Sequence, residues 1–473
     1  MAELLERRDA VHGADLVELR LDGIRDLDVA GALAGRRLPV IATCRAARQG
    51  GRFDGAEETR LRFLDQAWDL GAEYVDVESD AADALLSRSG GRRIVRSHHD
   101  FVDGTRDAAD RLRTLLASGA EIGKIAVTVD RLAQLPSLAA LGRSAGGRAV
   151  VLAMGGAGLA SRVLAGRFAS RWTYAGDGVA PGQVPLAVMR DMYRVPAIGA
   201  ATRVFGVIGR PVMHSLSPLM HNAAFAAAGV DAVYLPLAAA DFADFTAFAA
   251  AFGVEGVSVT APYKPAALAA AVSADPIATR VGAANTLRRT AAGWEACNTD
   301  VAGVLAPLAG RDLRGVRVSV LGAGGAARGV AVAFADAGAR VAVHARRAEA
   351  AATLAAAVGA SAGPWPPPPD AWDVLVNTTP VGTTPAVDAT PVVLDGRLDG
   401  RLVYDLVYNP RETALLRQAR HLGATTLDGL PMLAAQAALQ FTWWTGSAAP
   451  ASAMQQAAAA ALPGSPLPVT QGP

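Results

Sequence analysis

The chain has little cysteine, no surplus of either charge and no long apolar stretch. Two cysteines in 473 residues, Cys44 and Cys297, exclude a disulfide framework, and their wide separation leaves no spacing suited to a metal, so no metal is expected. A formal net charge of +1 with 19% charged residues provides neither a basic face for nucleic acid nor a polybasic membrane contact. Although 51% of residues are hydrophobic, no uninterrupted apolar run approaches the ~20 residues that a membrane-spanning helix needs. The amino terminus, MAELLERRDAVHG, mixes both charges and has no apolar h-region, unlike a secretory signal. These absences point to a soluble cytoplasmic protein whose partners are small molecules; the oligomeric state is left open.

What is present is a series of short apolar runs, each ending in a polar or charged side chain: Ala14–Asp22, Leu38–Arg45, Ala72–Ser79, Arg93–Asp100, Ile122–Asp130, Arg148–Gly155 and Arg171–Asp177. Strands alternating with helical stretches indicate parallel βα units, and this many in a row predict an α/β fold with a (β/α)8-type barrel. Seven runs leave such a barrel one strand short, with its first strand missing before the helical Met1–Gly13. The pattern ends near Tyr193, so residues 1–198 form the expected barrel. A second α/β region follows over 204–302 and a third over 303–408. Helical sequence over 409–446 completes the second region. The Ala/Pro/Gln/Ser-rich tail, 447–473, is expected to be disordered.

In a (β/α)8 barrel the active site lies at the carboxyl ends of the strands. Those ends present Glu18, Arg20, Arg45, His99 and, within EIGKIAV, Lys124. Burying an ammonium is costly unless it is paired or neutral, so a depressed pKa is expected to make Lys124 a nucleophile toward a ketone. His99 can act as acid or base near neutral pH; His98 points the other way along the strand and is read as structural. With VELRLD, TCRAARQGG, SHHDF, EIGKIAV, GLASR and APGQ, residues 1–195 resemble type I 3-dehydroquinate dehydratase. The resemblance implies an imine between Lys124 and the ketone of 3-dehydroquinate, with His99 moving the proton. It implies that Glu18 and Arg20 bind hydroxyls, and that Arg45, Arg162 and Gln183 hold the carboxylate and hydroxyl pole. Two positions depart from the family: Gln49 stands where it usually has Glu, and Val179 where it usually has Ser.

The next region carries VIGRPVMHSLSPLMHN, in which Ser215 and Ser217 precede Pro218 at a helix start, a placement suited to a carboxylate. GVSVTAPYK supplies Ser258, Thr260 and Lys264, GAANT supplies Asn285, and CNTDVAG supplies Asp300. This order resembles shikimate dehydrogenase over 204–446. The resemblance implies that Ser215 and Ser217 grip the substrate carboxylate and that Lys264 and Asp300 bind the reacting oxygen. Ser258, Thr260, Asn285, Tyr408 and Gln436 would complete the pocket. VRVSVLGAGGAARG is a strand, a glycine turn and a helix, the arrangement of a Rossmann-like dinucleotide site. Gly322, Ala323, Gly324, Gly325 and Ala326 would face the pyrophosphate. The following strand ends in Arg346 and Arg347 rather than an acidic residue, which favours a 2′-phosphate and hence NADP(H). Asn377 and Thr378 in VNTTPVGT resemble a segment near the nicotinamide, with Pro380 replacing its usual Ser, and Gly429 is taken as a further cofactor contact.

The two halves imply consecutive reactions, 3-dehydroquinate to 3-dehydroshikimate and then to shikimate, and the chain resembles the plant-type fused dehydratase–dehydrogenase. Three alternatives stay open: a chain with only its dehydrogenase half active, an NAD-dependent quinate dehydrogenase, and a non-catalytic metabolite sensor. Retention of Lys124, His99, Lys264 and Asp300 speaks against the sensor.

Overall fold

The apolar runs at the start of the chain fold as strands buried on both faces, as a parallel sheet covered by helices requires. The structure, a computed structural model, describes residues 1–102, 104–176 and 182–462. They divide into two units, one comprising Met1–Thr202 and Ala238–Phe252, the other Arg203–Leu237 and everything from Gly253 onward.

The first unit holds β1 (Val17–Arg20), β2 (Val40–Thr43), β3 (Tyr74–Glu78), β4 (Ile94–Asp100), β5 (Ile122–Thr128) and β6 (Ala149–Met154), all parallel and in sequential order. Helices Glu57–Asp69, Ala108–Ala117 and Leu135–Ser144 connect them. The sheet is thus a six-stranded half-barrel, where seven strands were expected. The run from Arg171 begins beside β6, with the Arg171 N–H donating to Ala149 O at 2.8 Å, but the Gly176 N–H turns to Val184 O instead. Its Trp172 ring packs on Tyr74 at 5.1 Å, so this stretch forms a loop rather than a seventh strand. The helix Phe242–Phe252 is grouped with this unit, and its Asp244 accepts the N–H groups of Leu132 and Ala133.

The second unit contains β7 (Arg203–Ile208), β8 (Ala232–Leu237), β9 (Val254–Val259), β10 (Ala271–Ala274), β11 (Thr286–Thr290) and β12 (Gly293–Cys297) in a mixed sheet ordered β10-β12-β11-β9-β7-β8. It also contains an all-parallel sheet built from β13 (Arg317–Leu321), β14 (Arg340–His344), β15 (Ser361–Ala362), β16 (Val374–Asn377), β17 (Leu402–Asp405) and β18 (Thr425–Leu427). Its order, β15-β14-β13-β16-β17-β18, is that of a doubly wound fold whose switch point lies between β13 and β16, where such sheets bind dinucleotides. The tail is corrected in part. Residues Ala451–Ala460 form a helix that buries Met454 and Ala458 fully. One turn separates these two residues, so both share a face, and alanine favours helix. Residues 463–473 lie outside the described residues. No helix among the described residues is long and apolar enough to cross a membrane.

Candidate active sites

In the first unit, Lys124 sits mid-strand in β5 and is only 3% exposed. Its Nζ donates to Asp76 Oδ2 at 2.8 Å and lies 3.7 Å from Glu18 Oε2, with the Tyr174 ring 4.6 Å away. Burial pulls its pKa down, but the charges of Asp76 and Glu18 outweigh that and raise it above the ordinary lysine range. The expectation of a depressed pKa is therefore overturned: β3 delivers a buried carboxylate that favours the ammonium form of Lys124. Burial in turn favours protonation of Asp76, yet Lys124 and Arg45 hold its carboxyl well below the usual carboxylate range.

Arg45, at the end of β2, bridges two of these groups. Its Nη2 donates to Asp76 Oδ2 at 3.1 Å and its Nη1 lies 2.6 Å from His99 Nδ1. Burial and the nearby cations Arg45 and Lys124 push His99 well below its ordinary value, so the ring is neutral. Glu18, Arg45, His99 and Lys124 are thus brought together around Asp76. Arg20 instead forms a two-pronged pair with Asp22, at 2.9 and 2.8 Å. Arg162 is buried in the helix Leu159–Val163, where desolvation lowers it to about 10. Gln183 makes no hydrogen bond to Lys124, His99 or Arg45 among the described residues. Gln49 Oε1 accepts the His99 backbone N–H at 3.4 Å, Ser79 Oγ meets His98 Nδ1 at 3.3 Å, and Val179 lies outside the described residues.

In the second unit, Lys264 opens a short helix and donates to Asp300 Oδ2 at 2.6 Å. Asn285 ties the pair to its surroundings, its Nδ2 donating to Asp300 Oδ1 at 2.8 Å, Thr299 Oγ1 at 2.9 Å and Gln436 Oε1 at 3.3 Å. Ser217 begins the helix Ser217–Ala227, and its N–H donates to Ser215 Oγ at 3.2 Å. Ser258 is held between Tyr234, whose hydroxyl donates to it at 2.6 Å, and Gln440, to which it donates at 2.7 Å. Thr260 is exposed just past β9, and burial raises the Tyr408 hydroxyl.

The glycine turn after β13 fits a dinucleotide. Gly322 has φ +116°, and a Cβ there would lie 2.6 Å from Thr378 Oγ1; a Cβ at Gly324 would meet nothing within 4 Å, leaving room for a phosphate. Ala323 lies between them, and Gly325 and Ala326 start the twelve-residue helix Gly325–Asp336, whose free N–H groups suit an anion. A Cβ at Gly325 would lie 3.9 Å from Lys264 Cδ, so the turn adjoins the Lys264–Asp300 pair. Arg346 and Arg347 are exposed beyond β14. Asn377 is committed inward, its Nδ2 donating to Asp405 at 2.8 Å and its Oδ1 accepting from Thr379. Gly429 packs too close to Leu406 O for a Cβ, at 2.1 Å.

Comparison with known proteins finds relatives for both halves of the chain. Residues 1–200 match the type I 3-dehydroquinase family, 207–287 the shikimate dehydrogenase substrate binding domain, and 429–459 the shikimate 5′-dehydrogenase C-terminal domain. The chloroplastic bifunctional 3-dehydroquinate dehydratase/shikimate dehydrogenase of Arabidopsis thaliana is 33% identical over 93% of this chain and 79% of its own. The chain belongs to this bifunctional family. The shikimate dehydrogenase (NADP(+)) of Moorella thermoacetica is 42% identical over 55% of this chain and 93% of its own. The crystal structure of the Aquifex aeolicus shikimate dehydrogenase is 33% identical, covers 55% of this chain and 98% of its own, and has a TM-score of 0.51. Against that family background, the residue that sequence reasoning missed is Asp76. The rule that singled out Lys124, that a charge inside an apolar strand needs a partner, applies equally to the Asp of YVDVE.

Proposed function

We propose that the chain converts 3-dehydroquinate to 3-dehydroshikimate in its first unit and reduces that product to shikimate with NADPH in its second. The observation that carries this reading is that each unit holds a lysine paired to a carboxylate in the setting its reaction requires. Lys124 passes a proton to Asp76, the carboxylate it touches, and attacks the ring ketone; as the imine forms, the ketone oxygen leaves as water, taking that proton back from Asp76 and a second one from the nitrogen. The cationic imine acidifies the neighbouring C2–H. His99 takes that proton and returns it to the departing C1 hydroxyl, which leaves as water, and hydrolysis of the imine releases the product. Arg45 and Arg162 hold the substrate carboxylate.

In the second unit Ser215 and Ser217 hold the carboxylate of 3-dehydroshikimate. Gly322, Gly324 and the helix start after them, with Arg346 and Arg347, hold NADPH, which when bound supplies the hydride. Lys264 gives the proton to the ketone oxygen as it becomes a hydroxyl, and Asp300, fixed by Asn285, orients that lysine. The test is to supply the purified chain with 3-dehydroquinate and NADPH, follow NADPH oxidation and identify the product. Oxidation with shikimate formed is the expected result. No oxidation, while added 3-dehydroshikimate is reduced, would restrict the activity to the second unit.

A further inference from the structure

A guanidinium has five N–H donors and no lone pair, so Arg45 can only donate to a neighbour. Its Nη1 lies 2.6 Å from His99 Nδ1, which makes Nδ1 the unprotonated ring nitrogen and leaves the proton on Nε2. An imidazolium cannot sit there, because both nitrogens would be donors facing a cationic donor. The other prong of Arg45 holds Asp76 Oδ2, the oxygen that also takes the Lys124 ammonium. Arg45 is 4% exposed and Asp76 1%, so water does not loosen these bonds. In this arrangement the histidine lone pair needed to accept a proton is therefore occupied.

We propose that Arg45 is a substrate-operated latch on His99: the substrate carboxylate draws the guanidinium away from Nδ1, and that nitrogen becomes the proton acceptor. The proposal rests on the dehydratase reading above. A carboxylate is the stronger partner, since it accepts charge-assisted bonds from two guanidinium prongs, whereas the neutral imidazole accepts one. Gln49, which accepts the His99 backbone N–H, is neutral and does not compete for the guanidinium. The groups whose charges act on His99 are Arg45, Lys124, Asp76 and His98, and the Phe101 ring stacks beside it at 6.5 Å.

The latch also orders the steps. Nδ1 takes the C2 proton, the C2–H electrons form the C1=C2 double bond, and the C1–O bond breaks. While the ring is doubly protonated it has no lone pair for Arg45, so the latch cannot close until His99 has passed its proton to the departing hydroxyl. A ring lacking the carboxylate leaves His99 latched, so substrate selectivity is exerted on the proton transfer as well as on binding.

The experiment is nitrogen NMR of the full chain carrying 15N-histidine, with His99 assigned by its loss in H99Q. The ligand-free protein should show His99 protonated at Nε2 with a hydrogen-bonded Nδ1. Saturating quinate, which carries the carboxylate but no ketone to form an imine, should move Nδ1 to the position of a free lone pair; quinamide should not. In R45Q without ligand, loss of the cation should raise the His99 titration by about one pH unit or more. A proton on Nδ1 in the ligand-free chain, an Nδ1 signal unmoved by saturating quinate, or an unchanged titration in R45Q would each overturn the latch. Borohydride trapping of 3-dehydroquinate on Lys124 tests the dehydratase reading separately, and its failure would leave the NMR results standing.

Discussion

Lys124 and Arg45, both buried, share one carboxylate oxygen, Oδ2 of the buried Asp76. Each cation alone would be costly to bury; together with Asp76 and the partly exposed Glu18 the charges balance. Removing the shared acceptor leaves two buried cations facing each other, and breaking a buried pair in this way costs about 3–5 kcal/mol. Asp76→Ala should therefore lower the denaturant midpoint of the first unit by a corresponding amount. Asp76→Asn, which keeps the shape and one acceptor, should lose less. A midpoint unchanged by Asp76→Ala would mean that the pair is not buried in solution. At this scale the sequence exposed the unusual residues but not their partners. Lys124 stands out inside EIGKIAV, whereas the 48 residues back to Asp76 are crossed only by the sheet. Arg20 reads as a free strand-end cation, and its capture by Asp22 depends on the backbone turning at Leu21–Gly23.

Elements were readable where hydrophobic period and turn chemistry agreed. VRVSVLGAGGAARG folds as strand, glycine turn and helix, with the Gly322 backbone in the region that favours glycine. Reading was poorer where composition stood in for pattern. Arg171–Gly176 has the apolar and aromatic content of a strand, but its backbone bonds close a loop instead. The tail has the low complexity of a disordered segment, yet Met454 and Ala458 lie one turn apart on the helix Ala451–Ala460, which packs on the helix Ser217–Ala227 that carries Ser217. Met454 is fully buried, so Met454→Ala should destabilise the second unit by about 2–5 kcal/mol, read as a lowered unfolding temperature. If the stability does not change, the helix does not contribute to the core. Because Ser217 lies on the helix it covers, KM for the shikimate-side substrate is the kinetic quantity expected to rise.

At the scale of the whole molecule, the two lysines belong to different units, each with its own carboxylate: Asp76 for Lys124 and Asp300 for Lys264. Among the described residues the hydrogen bonds of the two lysine clusters share no residue, so the two chemistries should separate under mutation. In the proposed reaction Lys264→Ala removes the proton donor, and loss of a positioned acid typically costs about 10²–10⁴-fold in rate. Dehydration should be untouched in that variant. Lys124→Ala removes the only amine placed to form the imine among the described residues of its cluster, so dehydration should cease while reduction of added 3-dehydroshikimate continues at the parent rate. Mixing the two variants should restore conversion of 3-dehydroquinate to shikimate, because the intermediate can leave one molecule and enter another. If either substitution abolished both activities in a chain that still unfolds cooperatively, the two sites would not be independent, and the assignment of one reaction to each unit would fall.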